Sequence, residues 1–403
     1  MQPQDAPTLP LVSGLLNLPT ELLLAIFVEY LGNDFRRPWI LSSVCRRFQA
    51  ILLEWPQLWA SVELSPILLE RGYPSPKTID LWLERCRRAD QQVSASFPPW
   101  SPTEVIDSLC RHSSSFKLLT FFDHNYLLTR VFPHLEELRL GSFEFSQRAK
   151  YHLTSGQMAE IRKRNFELRR KDGGWSCLLA QSRYPQLRRL HLHALDTATM
   201  VEIAMPHGFP PLEELCIHAN VPYWLDLVRY CARSLTKLSV RFGEHCISPT
   251  VPSDASSVEI PSLRHLAYHF IGVSPPFWRL PSFVTPVLDV YEQDAWSARP
   301  QNILHNDLKN VNTIIWRGCI SARGRVMPRV VNLELYSLSA TIHSSCVYLA
   351  SNEALYPNLK SVAVFKADDD PKRLMDSVVS SFQKRAERTG IPIQLTVSAN
   401  PRR

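Results

Sequence analysis

Apolar residues recur along this chain in two different rhythms. From 18 to 31, Leu22, Leu23, Ile26, Phe27, Tyr30 and Leu31 fall in two adjacent i, i+4, i+8 rows, which makes a wide apolar stripe on one helix. Pro19 suits the first turn, where its missing N–H costs nothing, and Glu21 sits where the helix dipole favours an anion. Gly32-Asn33-Asp34 stops the helix. Ile40, Leu41, Val44, Cys45, Phe48 and Leu52 repeat the helical spacing, with Ser42, Ser43, Arg46, Arg47 and Gln49 on the opposite face. Trp55-Pro56-Gln57-Leu58-Trp59 follows. Helices of this total length bury too little to stand alone. Their leftover stripe predicts packing against a neighbouring domain or another protein. Short helices are expected over 80–88 and 103–111, around the proline-rich break at 97–102.

After residue 113 the rhythm changes to alternation. Five segments share P-x-L-x-x-[LV], beginning at Pro133, Pro185, Pro210, Pro261 and Pro357. Looser copies begin at Phe116, Leu235, Val311 and Val330. The anchors from Leu135 onward lie at 135, 187, 212, 235, 263, 311, 330 and 359. Counting the gaps of 52 and 48 as double gives a period of about 25 residues, inside the leucine-rich-repeat range. Copies end in alternation, as in Leu138-Arg139-Leu140, Leu190-His191-Leu192 and Leu215-Cys216-Ile217, which predicts strands with one buried face. Helices are expected at 224–233 and 371–388, the latter with Leu374, Met375, Val378, Val379 and Phe382 as its core row and Gly390 as its stop. Ile393, Leu395 and Val397 predict a final strand.

Composition narrows the function classes. Apolar residues are 45% and charged residues 21% of 403, which excludes gross disorder. Glycine is scarce at 13, and no G-x-G tripeptide or Gly-Lys pair occurs, so the Rossmann and P-loop devices are absent. No G-x-S-x-G elbow supports a hydrolase. No apolar run approaches the length of a membrane span, the first residues make a poor secretory or transit signal, and nine dispersed cysteines read as free thiols. The expectation is a cytoplasmic and/or nuclear protein with no membrane partner.

The N-terminal residues carry a resemblance. Leu18-Pro19-x-Glu21-Leu22-Leu23-x-x-Ile26-Phe27, then Val44-Cys45-Arg46-Arg47-Phe48, then Pro56-x-Leu58-Trp59, resembles an F-box. The loop from Gly32 to Trp39, with Arg36-Arg37-Pro38, departs from that pattern. The resemblance implies docking on the small Skp-type adaptor of SCF (Skp–cullin–F-box) ubiquitin ligases. Leu18, Pro19, Leu22 and Ile26 would be adaptor contacts, and Val44, Cys45, Phe48 and Trp59 would extend or support that surface. The array from 113 to 397 resembles an irregular leucine-rich repeat of the kind found behind F-boxes. The turn asparagine appears clearly only at Asn220, with Phe143, Leu195 and Leu338 in that slot elsewhere.

The expected fold is α/β: small all-α F-box helices followed by an irregular leucine-rich-repeat-like α/β solenoid. The expected organisation is a tail at 1–14, an F-box at 15–62, a helical linker at 63–112, the repeat-like domain at 113–397 and a tail at 398–403. A non-repeating α/β domain is the alternative fold. The implied function is substrate recognition in an SCF-type ligase, with an unidentified target protein as second partner and neither chemistry nor a cofactor in the chain itself. The alternatives are an F-box scaffold that promotes no ubiquitination and an enzyme with an unrecognised site.

Candidate side chains cluster on the array. His191 and His193 flank Leu192, His218 follows Ile217, and His265 and His269 flank Leu266 and Tyr268. With the leucines inward, these point to the opposite, exposed face of the sheet. With Arg241 and Arg317 they form the candidate target-binding set. No H-E-x-x-H spacing supports a metal, and none is expected. Cys45 reads as a packed residue, and Asp368-Asp369-Asp370 as a helix cap before Pro371. The net charge is +7, and the segment 146–172, inside the 52-residue gap, holds eight basic and three acidic side chains. It reads as a solvated helical insertion, with an acidic partner as the alternative. No nucleic-acid motif accompanies it, and nucleic acid is not an expected partner.

Overall fold

The helical rhythm becomes short helices and the alternation becomes parallel strands in a computed structural model. It describes residues 11–32, 36–63, 75–87, 93–97, 103–121, 130–140, 181–192, 210–218, 224–242, 257–270, 282–295, 308–318, 326–336, 339–366 and 372–399. The basic segment 146–172, His193, Asn220 and Asp368-Asp369-Asp370 lie outside the described residues. The protein is mixed α/β with an extensive parallel sheet. Its chain forms two compact units, Met1–Leu187 with Pro206–Pro210, and Arg188–Met205 with Pro211–Arg403.

In the first unit, helix α1 spans Leu11–Leu16 and α2 spans Thr20–Leu31. Pro19 sits just before α2, and Gly32 ends it at φ 48°, a left-handed conformation that costs glycine no Cβ clash. The two apolar rows of α2 part company. Leu23, Phe27 and Leu31 are buried, while Leu22, Ile26 and Tyr30 stay exposed.

The next helical segment is broken at Cys45 into α3 (Arg36–Val44) and α4 (Arg46–Glu54). Cys45 is extended, and its sulfur accepts from the Phe48 N–H at 3.4 Å, capping α4. Upstream, the Ser42 and Ser43 hydroxyls donate to the Trp39 and Ile40 carbonyls at 2.8 and 2.7 Å. Such back-bonding competes with the helix ladder just where α3 ends. A short turn, Pro56–Trp59, completes the group.

The stretch 63–112, expected as a helical linker, holds its helices as α5 (Pro76–Arg87) and α6 (Thr103–Arg111). It also holds a strand. Strands β1 (Ser61–Glu63), β2 (Val93–Phe97), β3 (Phe116–Phe121) and β4 (Glu137–Leu140) pair in that order, all parallel. Strand–helix alternation therefore begins near residue 61 rather than 113. Strands β1 and β2 carry no leucine. Val93, Ala95 and Phe97 alternate with serines, and a register shift at Val93/Ser94 interrupts the ladder.

In the second unit, β5 (Arg189–Leu192), β6 (Glu214–His218), β7 (Lys237–Phe242), β9 (His265–Phe270), β11 (Val290–Ala295), β12 (Thr313–Gly318), β13 (Asn332–Tyr336), β14 (Ser361–Lys366) and β15 (Gln394–Ala399) pair in this order, again parallel. Strands β8 (Val258–Glu259) and β10 (Phe283–Val284) form a separate pair. Helices are α7 (Trp224–Cys231), α8 (Ser339–Ser351) and α9 (Lys372–Thr389).

Backbone hydrogen bonds explain the proline–leucine motif. The anchor N–H donates to the carbonyl three residues earlier, as from Leu187 to Tyr184, Leu263 to Ile260, Leu288 to Thr285 and Leu359 to Tyr356, each at 3.2 Å. That turn tucks in the residue before proline, so Tyr184, Ile260 and Tyr356 are buried with the leucines. In the second unit, one carbonyl per repeat accepts two N–H groups from the next repeat. The Thr236 carbonyl takes Arg264 and His265, and the Arg264 carbonyl takes Asp289 and Val290. Each strand is thereby set in register on its predecessor. The 48-residue gap contains the skipped copy Pro286-Val287-Leu288-Asp289-Val290-Tyr291, whose anchor Leu288 divides it nearly evenly.

Two expected apolar rows differ in detail. Val378 and Phe382 of α9 are buried, but the row continues into Arg385, a buried guanidinium that donates to the Leu349 carbonyl at 2.7 Å. It thus satisfies the carbonyl end of α8. In β15, Leu395 is half-buried and Val397 is 39% exposed, because the strand pairs only with β14.

Candidate functional site

Two faces follow, one in each unit. In the first, Leu22, Ile26 and Val44 are 52%, 43% and 56% exposed, Pro19 is exposed, and Leu18 and Cys45 are half-buried. Phe48 and Trp59, grouped with the adaptor contacts by their place in the motif, are interior instead. Phe48 packs edge-on against Phe27 at 4.9 Å. The Trp59 indole donates to the Leu52 carbonyl at 2.8 Å, and its own carbonyl accepts from the Trp82 indole at 2.7 Å. Arg85 lies over both Trp39 and Trp59, at 4.3 and 4.5 Å from the ring centres. Trp59 therefore joins the N-terminal helices to α5 and supports the exposed row from beneath. Arg47 has a similar role, donating to the Leu16 carbonyl and, at 2.7 Å, to the Leu18 carbonyl. It holds the chain entering α2, and with it Leu18 and Pro19.

In the second unit, register aligns side chains into rows across the sheet. Leu190, Leu215, Leu238, Leu266, Tyr291 and Ile314 form one buried row, continued by Leu333 and Val362. The intervening positions face the other way. His191 and His265 lie there, and His218, Arg241, His269, Asp294, Arg317, Tyr336 and Phe365 form a single row. His218, expected at the surface, is 4% exposed and is corrected to an interior position. Arg241 of β7 is its register neighbour in the row. His193 lies outside the described residues.

The centre of this face is Glu292. Its carboxylate accepts from Arg317 Nε at 2.7 Å and stands 3.3 Å from His265 Nε2. Burial alone would push its carboxyl up, but the His265 and Arg317 contacts and the nearby His269 prevail and hold it at about 2. His269 Nδ1 lies 3.5 Å from Asp294 Oδ2. The Arg317 guanidinium covers the Tyr336 ring at 4.0 Å, Tyr336 stacks on Phe365 at 4.2 Å, and its hydroxyl donates to Glu334 at 3.1 Å. The structure thus brings His265, His269 and Arg317 together through Glu292 and Asp294. Sequence reasoning missed both acids, along with Glu334, Tyr336 and Phe365. The signal that would have found the acids is the skipped copy at Pro286–Tyr291, which leads straight into Glu292.

Among the described residues, no three His, Cys, Asp or Glu side chains are grouped to hold a metal ion. Burial pushes the Cys231 and Cys346 thiols up to about 12, far from a reactive thiolate. Ser108 and His112 meet in the first unit, but both reach Asp80 Oδ1, and the buried serine hydroxyl donates to the acid rather than to a histidine base. No described helix is long and apolar enough to cross a membrane. In comparisons with known proteins, no family model matches the chain and no curated protein matches it.

Proposed function

We propose that this chain is the substrate-recognition subunit of an SCF-type ubiquitin ligase. Its F-box helices would bind the Skp-type adaptor, and its second unit, an irregular leucine-rich-repeat-like solenoid, would bind a target protein. The observation that carries the reading is the division of α2 into a buried row and an exposed apolar row, within residues that match the F-box pattern in order and spacing. An apolar helix row of this kind fits a partner's groove. The polar and aromatic face around Glu292 supports the target-binding half of the reading. The chain itself performs no chemistry in this scheme. It raises the local concentration of a target's lysine near a ubiquitin-charged enzyme.

The test is a direct binding measurement with purified Skp-type adaptor. Leu22 and Ile26 are half-exposed, so Leu22→Asp with Ile26→Asp leaves the core of α2 intact. Losing both apolar contacts and burying two carboxylates is expected to cost about 3 kcal/mol or more, roughly a hundredfold in affinity. Unchanged binding by the double variant, or no binding by the wild type, sinks the F-box reading. Cullin-dependent turnover of a bound target separates a substrate receptor from a scaffold that promotes no ubiquitination.

A further inference from the structure

The outward face of the second unit is electrically polar from one side to the other. Over β5, β6, β7 and β9, its described charged positions are Arg189, Glu214, Lys237 and Arg241, accompanied by His191, His265 and His269. Over β11, β12 and β13 they are Glu292, Asp294, Arg317 and Glu334. The first group is net cationic with its histidines neutral, and the second is net anionic. Tyr336 and the half-buried Phe365 extend the anionic side with a stacked aromatic pair. The middle row over β6, β7 and β9 is Cys216, Ser239 and Ala267, of which Ser239 is half-buried and the other two are buried.

We infer that this face recognises a target segment of matching charge order, an acidic cluster followed or preceded by a basic one. Lys237 and Arg241 would take the acidic cluster, and Asp294, Glu334 and the half-buried Phe365 ring the basic one. The spacing follows from the sheet. From β7 to β11 and β13, which carry Asp294 and Glu334, the order runs two and four strand steps. At about 4.8 Å per step and about 3.3 Å per extended residue, the two clusters are about three to six residues apart. Opposed charges at both ends fix register as well as attraction, and a segment with the clusters in the wrong arrangement meets like charge. This inference rests on the reading of the face as the target-binding surface.

The probe is a phage-displayed library of random peptides of about twelve residues, long enough to span both clusters, selected on the full chain. Selected peptides are expected to carry acidic and basic clusters about three to six residues apart. Lys237 is exposed and pairs with Glu214 at 3.5 Å, and half-buried Glu334 accepts from the Tyr336 hydroxyl, so each charge reversal is read against the neutral glutamine variant at the same position. Lys237→Glu or Glu334→Lys should each weaken a selected peptide about tenfold at low salt, and by less as salt screens the pair. The double variant should prefer the peptide with its charges exchanged. Lys237→Gln and Glu334→Gln, which reverse nothing, should give smaller losses in the same direction. Peptides without separated clusters that still lose affinity in these variants would overturn the charge order while keeping the face as the binding site. Peptides indifferent to every substitution on the face would overturn both.

Discussion

Glu292 is the residue on which the second unit's polar face turns. Its carboxyl is held at about 2 against an ordinary value near 4.3, because the Arg317 and His265 contacts outweigh the cost of burial. A depressed carboxylate stabilises the fold above its unfolded value and stops doing so as pH falls through the folded one. The stabilisation is therefore full above about pH 4.5 and lost toward pH 2, and is on the order of 2–3 kcal/mol. Glu292→Gln should lower the urea midpoint at pH 7 and make its fall between about pH 4.5 and 2 shallower by that one group's share. A variant with the wild-type pH profile would show that the contacts do not hold the carboxylate. Arg317 was legible as a candidate, but its partner was not. The two lie 25 positions apart and meet only through strand register, which no local pattern encodes.

At the scale of elements, legibility followed leucine. Strands β4, β5 and β6 carry alternating leucines and were readable, as were α7 and the α9 helix with its Gly390 stop. Strand β2 alternates valine, alanine and phenylalanine with serine, and β11 carries no leucine at all, so both escaped the motif. The break between α3 and α4 was hidden for another reason. Apolar spacing runs straight through Cys45, and what interrupts it is a cap made by a sulfur. Sulfur is a weak acceptor, whereas a serine hydroxyl is a strong one. Cys45→Ser should therefore stabilise α4 by about 0.5 kcal/mol, and Cys45→Val should destabilise it by about 1 kcal/mol. Amide exchange in Arg46–Glu54 reads the difference. Equal exchange in all three proteins would mean that tertiary packing, not the cap, fixes the helix start.

At the scale of the whole second unit, the open question is whether its strands behave as a repeat array or as one cooperative α/β domain. Register speaks for the array. Apart from the separate β8–β10 pair, the strands from β6 to β14 are bonded to their neighbours in chain order, and the shared carbonyl of one strand's entry is met by the next strand's N–H groups. In such an array stability is a sum of repeat terms and nearest-neighbour terms. Ile314, the second residue of β12, is fully buried between Tyr291 and Leu333. Ile314→Ala should cost about 2–4 kcal/mol. In an array that loss stays local: amide protection should fall in β11, β12 and β13 and remain near wild type in β5 and β6. In a non-repeating domain the most protected amides of β5 and β6 exchange only by global unfolding and would lose the same free energy as those of β12. Hydrogen exchange followed strand by strand separates the two, and uniform loss across the unit would replace the solenoid with a single cooperative core.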